Sequence, residues 1–283
     1  MTATVDFHTH IFPPSIADQR ERWLERDATF RELYADPKAK LATAGDLIAA
    51  MDEDGVDRAV VMGIGWTDQV LAREANDYII DAARRHPDRL TGFASVNPAW
   101  GDSAVTEVER CAHAGLRGVG ELHPDTQGFA LGDEAVMTLL LEVAQAHRLI
   151  VTTHSSEPAG HVYPGKGRTT PDVLWRFIQH AARFPDVKVV CAHWGGGLPF
   201  YALMPEVARA LGNVYFDTAA SPFLYTADVF SVVADLVGVD KILLGSDYPL
   251  LRPARLLRQL DKSGSSDEVK DQVRYNGLML LDV

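Results

Sequence analysis

Eight short apolar runs recur along the chain with room for a helix between successive runs, and this alternation restricts the fold more than any other feature. The runs are TVDFH from residue 4, RAVVMG from 58, LTGFASV from 90, LRGVGEL from 116, LIVTTH from 149, VKVVCAH from 187, NVYFDT from 213 and KILLGSD from 241. Helical spacing falls between them: AGDLIAAMDEDG with Thr43 as cap, then 70–85, 103–114, 133–147, 171–184, 198–211, 228–237 and 253–260. Several of these segments end in a polar or glycine-containing turn just before the next run, as at HPDR, AGLRG and FPDVK. Parallel strands joined by crossover helices give this pattern, and eight βα repeats in 283 residues are what a TIM (β/α)8 barrel of the α/β class needs. A doubly wound open sheet also alternates, but it would not account for the histidines described below.

A hydrophobic content of 47% supplies one large core, and no linker or low-complexity tract divides the chain, so residues 1–283 are expected to form a single barrel domain. The longest irregular pieces are 11–42 and 155–170. Both follow strands, where barrel enzymes carry functional loops, and 11–42 reads as a loop or lid insertion after the first strand. Its WLERDATFRELY segment would serve equally as a homodimer contact.

The net charge of −12, with no basic stripe, argues against nucleic acid as a partner. Neither a secretory leader nor an apolar run of about 20 residues is present, so neither secretion nor membrane insertion is signalled. Cys111 and Cys191 are far apart and lack zinc-finger spacing, which disfavours a disulfide framework and fits a cytoplasmic location. A small molecule is the expected partner.

The ten histidines divide by position. His86, His113, His147 and His180 stand near helix ends just before strands, where interaction with the helix dipole is reason enough for them. His8, His10, His154 and His193 instead fall at strand C-terminal ends, as does Asp247. Residues two apart in a strand share a face, so His8 and His10 would point into the barrel about 7 Å apart along the chain. One strand-end histidine can be a hydrogen-bonded structural residue, but several with a carboxylate at one barrel mouth lose hydration that stability alone does not repay.

The stretches DFHTHIFPP, TTHSS, CAHWGGGLPFY and LLGSDYP occur in order over nearly the whole chain. In these the sequence resembles the amidohydrolase superfamily, and specifically its amidohydrolase-related branch of metal-dependent TIM barrels. The resemblance implies metal ligation by His8, His10 and His154. His193 would bind a second metal or act as acid or base, and Asp247 would bind metal and orient or deprotonate the attacking water. Glu121, in GVGELHPD, is similar to the glutamate of TatD-type hydrolases and would bridge two cations; a bond to Arg117 or another cation is the alternative. The acidic charge and the HWGGGLP and GSDYP motifs speak against a TatD-like deoxyribonuclease.

The implied cofactor is a divalent metal, one or two ions per chain. Zinc suits three imidazoles with a carboxylate, and manganese suits a site richer in oxygen. The leading expectation is hydrolysis of an amide, ester or lactone of a small carboxylated or cyclic metabolite. The alternative is decarboxylation of an aromatic or unsaturated acid on the same site, and a third reading is a silent barrel that only binds. Substrate-facing candidates are Trp66, Asn97, His123, Tyr163, Lys166, Arg168, Tyr225 and Tyr248, each with packing or a solvated loop charge as its alternative role. Gly195 to Gly197 read as a tight turn beside His193, not as a phosphate loop.

Overall fold

In the computed structural model, which describes residues 3–281, the eight runs are strands: β1 (Val5–His10), β2 (Arg58–Met62), β3 (Leu90–Ala94), β4 (Gly118–Leu122), β5 (Ile150–Thr153), β6 (Lys188–Cys191), β7 (Val214–Asp217) and β8 (Ile242–Leu243). The outermost domain bounds expected from the sequence, 1 and 283, lie outside the described residues. Neighbouring strands pair in parallel in chain order. β8 has only two residues, and the seam with β1 is made by single bonds: Phe7 N–H to Leu244 O at 2.6 Å, Asp247 N–H to His8 O at 2.9 Å and His10 N–H to Tyr248 O at 2.7 Å. Buried Asp6 reinforces it by accepting from Ser246 N–H and Oγ–H, and burial lifts its carboxyl to about 6 against the pull of those bonds. The sheet thus curls into a barrel whose mouth carries the C-terminal strand ends.

Side chains of alternate residues fill the interior, among them Val5, Phe7, Val60, Phe93, Val190 and Leu243. Leu141, Leu174 and Phe177 seal the helices onto the outer face, each fully buried and each contributing roughly 1.5–3 kcal/mol of apolar burial. Local signals set the helix ends. Thr43 and Asp46 form a reciprocal cap at the start of Ala44–Asp54, and Asp68 and Asp133 cap Gln69–Arg85 and Glu134–Ala146.

Three segments differ from the sequence expectation. Residues 11–42 are not irregular: they contain the helices Pro14–Asp18, Arg20–Arg26 and Ala28–Tyr34, which bury Ile16, Trp23 and Phe30. Buried Asp27 ties them to the loop after β2 by accepting from the N–H groups of Phe30, Thr67 and Asp68 at 2.7–2.9 Å. The helix expected over 198–211 breaks in two, a 3-10 turn at Leu198–Leu203 and a helix at Pro205–Ala210. Pro205 has no N–H to offer and disfavours helical backbone at Met204. A final helix, Asp267–Leu281, was not read from the sequence and packs against β1. Gly277 lets it approach, since a Cβ there would lie 2.8 Å from Val5, and Asn276 Nδ2 donates to Val239 O and Ile242 O at 2.7 Å.

Among the described residues no helix is long and apolar enough to cross a membrane. Cys111 and Cys191 are buried and unpaired. Of the four helix-end histidines, His113 and His180 lie in their helices and His86 and His147 are C-caps, with His113 and His147 edge to face at 5.2 Å and His180 beside Thr138.

Candidate metal centre

Strand ends deliver six buried or nearly buried polar side chains to one point: His8 and His10 from β1, Glu121 from β4, and His154, His193 and Asp247 from the residues just after β5, β6 and β8. The structure brings together all six positions singled out as metal or catalytic candidates. Glu121 is central. Its Oε2 lies 3.6 and 3.8 Å from His8 and His10 Nε2, and its Oε1 lies 3.1 and 3.6 Å from His154 Nδ1 and His193 Nε2. Two triads, His8–His10–Glu121 and Glu121–His154–His193, therefore share one carboxylate. Asp247 Oδ1 stands 3.4 Å from His10 Nε2 and 3.9 Å from His8 Nε2.

The outer ring nitrogens fix the tautomers. His10 Nδ1 faces Met62 O at 3.3 Å, His154 Nε2 faces Lys166 O at 3.0 Å, and His193 Nδ1 faces Ala219 O at 3.0 Å. A carbonyl only accepts, so each of these nitrogens carries the proton. His8 Nδ1 likewise donates to Asp217 Oδ2 at 2.8 Å. In the neutral rings the inner nitrogens are then bare lone pairs. Two of them, His8 and His10 Nε2, face each other at 3.1 Å, and the other two face Glu121. Lone pairs converging on one another and on a carboxylate repel unless positive charge lies among them, so the donor set fits a divalent cation.

Without a cation, protons on the rings would supply that charge. Burial works against the charged forms of His8 and Glu121. Asp217 and Glu121 nevertheless hold His8 well above the ordinary histidine range, and His8, His154 and His193 hold Glu121 well below the usual carboxylate range. His193 is likewise raised to about 9, burial being outweighed by Glu121 and Asp247.

Local backbone aims the later ligands. His193 and Trp194 both adopt left-handed φ, 53° and 58°, and Asp247 does so at 68°. Asp217 holds the first of these turns by accepting His193 N–H and Ala219 N–H on Oδ1, both at 3.0 Å. Gly195, Gly196 and Gly197 continue the turn at positive φ, and a Cβ on Gly196 would collide with the Ser156 backbone.

The expected substrate wall is redistributed. Trp66 is fully buried and stacked on Phe30 at 5.8 Å, because the helical insertion folds over it, so it does not line the mouth. Asn97 is a capping residue, accepting Ala99 N–H and donating to Gln127 O. Tyr248 packs into the apolar layer beside β1 and β2. Arg168 points into solvent with a 91% exposed side chain beside Asp125, and Lys166 Nζ donates to Ala159 O and His161 O, so neither cation is turned toward the cluster. His123 stacks on His154 at 4.3 Å and interacts through Nε2 with Gly165 O; burial, then His154, pushes it down to about 3.

Tyr163 is half-buried, its ring 5.3 Å from that of His161 and 5.8 Å from Lys166 Nζ. Burial, then Glu157 and Asp247, raise its phenol above the ordinary range. Tyr34, from the helical insertion, was not anticipated, and its phenol is raised by burial and then by Asp247 and Glu121. Asp217 was also missed, although it ends a strand as the chosen ligands do.

The fold and this site define a (β/α)8 barrel whose C-terminal mouth gathers histidines and carboxylates that could hold a metal ion. Residues 5–276 match the amidohydrolase family model Amidohydro_2, and the chain is an enzyme belonging to that family. It is 22% identical to 2-amino-3-carboxymuconate-6-semialdehyde decarboxylase of Dictyostelium discoideum, over 90% of this chain and 85% of that one. Among solved structures, 5-carboxyvanillate decarboxylase from Sphingomonas paucimobilis superposes with a TM-score of 0.81 at 18% identity, covering 100% of both chains. A dihydroxybenzoic acid decarboxylase from Polaromonas sp., with bound manganese, superposes with a TM-score of 0.74 at 17% identity, covering 100% of this chain and 97% of that one.

Proposed function

We propose that the chain is a divalent-metal-dependent decarboxylase of a small aromatic or unsaturated carboxylic acid. The observation that carries this reading is the convergence of bare imidazole nitrogens on Glu121, in a chain whose relatives named above are all decarboxylases. His8, His10, Glu121, His154 and His193 would hold the ion or ions, with manganese favoured over the zinc expected from the sequence because manganese is bound in the Polaromonas structure. When bound, the ion supplies positive charge that orients substrate oxygens and stabilises the electrons left on carbon.

Decarboxylation breaks a carbon–carbon bond and leaves an electron pair that must take up a proton. Asp247, whose side chain is 14% exposed while those of Glu121 and His193 are 6% and 8% exposed, is assigned the relay of that proton: its carboxylate takes one from solvent and passes it to the carbon. Asp217 keeps His8 in the tautomer that points its lone pair inward, and the carbonyls of Met62, Lys166 and Ala219 do the same for His10, His154 and His193.

The chain is read as one domain. The 11–42 helices are assigned to its own mouth in preference to a dimer contact, because Asp27 fastens them to the neighbouring loop. Two free buried cysteines fit work in a reducing cytoplasm. Hydrolysis of an amide, ester or lactone would use the same donors and is the outcome to exclude.

The test is carbon dioxide release from 2,6-dihydroxybenzoate and related ortho-hydroxy acids by manganese-reconstituted protein, beside a panel of amides, esters and lactones. Release that requires manganese and disappears in Asp247→Asn supports the proposal. Turnover of the hydrolysis panel without carbon dioxide from any acid overturns it.

A further inference from the structure

Next to the metal centre is a cleft of about 480 Å³ whose walls continue directly from two of the cluster histidines. Glu157 follows His154 by three residues, and Gly196 and Gly197 follow His193; Phe200, Leu224 and Tyr225 complete the apolar side. Phe200 and Tyr225 stand 6.1 Å apart, centroid to centroid, a spacing at which rings make aromatic contact. Among the described residues no lysine, arginine or histidine lines this cleft. Its one carboxylate is Glu157, whose Oε1 is buried without a hydrogen-bond partner among the described residues.

Glu157 is also linked to the site. The phenols of Tyr163 and Tyr225 are both raised by burial and by this carboxylate, and Tyr163 is raised further by Asp247.

We infer that Glu157 is a specificity-determining residue, selecting acids that carry an amino or hydroxyl group held away from the carboxylate that reacts. The assignment rests on the decarboxylase reading for where the acid sits. A second carboxylate on the substrate would meet Glu157 in a cleft without a cation, and like charges at short range disfavour it. An ammonium or hydroxyl donor instead pairs with the Glu157 carboxylate, while its ring lies against Phe200 and Tyr225.

The test is calorimetric binding to the manganese-loaded protein of the 3- and 4-substituted isomers of three probes: (aminomethyl)benzoate, (hydroxymethyl)benzoate and ethylbenzoate. The expected result is about tenfold tighter binding of at least one isomer of each donor probe than of its ethyl counterpart. Glu157→Leu should abolish both preferences, whereas Glu157→Gln should keep the hydroxyl preference and lose the ammonium one. Equal affinities, preferences unchanged in Glu157→Leu, or no saturable heat with any probe would overturn the inference. Carbon dioxide release from the ortho-hydroxy acids above is measured on the same preparation: discrimination without release from any of them keeps Glu157 as the selector and counts against decarboxylation, while release without discrimination does the reverse.

Discussion

Exchanging Asp217 for Asn isolates the one side chain that sets a histidine's tautomer without itself facing the centre. Asp217 Oδ1 accepts two backbone N–H groups, from His193 and Ala219, both at 3.0 Å, and Oδ2 accepts His8 Nδ1–H at 2.8 Å. An asparagine keeps its oxygen on the backbone pair, so the turn at His193 survives. Its amide nitrogen then faces His8 Nδ1, and two N–H groups cannot point at each other. The proton on His8 moves to Nε2, the nitrogen that faces His10 and Glu121. Changes to such supporting partners typically lower metal affinity 10- to 100-fold, which is about 1.4–2.7 kcal/mol. Loss of the buried charged acceptor costs the metal-free fold a further ~1–3 kcal/mol. The assay is manganese affinity by competition with a chromogenic chelator, with thermal unfolding of metal-free protein as the control for folding. Folded Asp217→Asn protein that binds manganese within twofold of the wild type would refute the tautomer argument.

Other perturbations separate ligand, fold and packing roles. Glu121→Gln should lower the manganese count per chain by about half, because the amide keeps one oxygen and one of the two triads loses its carboxylate oxygen; an unchanged count by elemental analysis would leave Glu121 outside the donor set. Asn276→Ala strips the bonds to Val239 O and Ile242 O and should lower unfolding free energy by about 1–3 kcal/mol in denaturant titration, with manganese content unchanged. Trp66→Phe should leave KM unchanged, since the indole is buried away from the mouth and its Nε1 has no partner among the described residues; a severalfold rise in KM would restore Trp66 to the substrate wall.

The strands and five of the six clustered side chains were legible because both follow from periodicity: a strand buried on both faces reads as an apolar run, and a polar residue where the run stops lies at the barrel rim; Glu121 came from the family resemblance. Asp217 obeys the same rule at the end of β7. Its partner His8 is 209 residues away, however, and nothing local distinguishes it from an ordinary strand-end aspartate. Trp66 was misread for a related reason, since its burial depends on Phe30 arriving from the insertion. Arg168 and Lys166 carry the right charge for an acid, but loop backbone geometry turns both away from the cluster. The final helix, Asp267–Leu281, was overlooked because Pro253–Asp261 already completed the eighth repeat, although acidic residues in its first turn marked its start.

The most direct test of the metal-centre account is elemental analysis of protein purified without chelators and then reconstituted with manganese, alongside His8→Ala/His10→Ala protein. The account predicts at least one tightly held divalent ion per wild-type chain and loss of bound metal in the double variant, with far-UV dichroism near normal in both. A wild-type chain that retains no metal after reconstitution, or a double variant that retains all of it, would contradict the assignment.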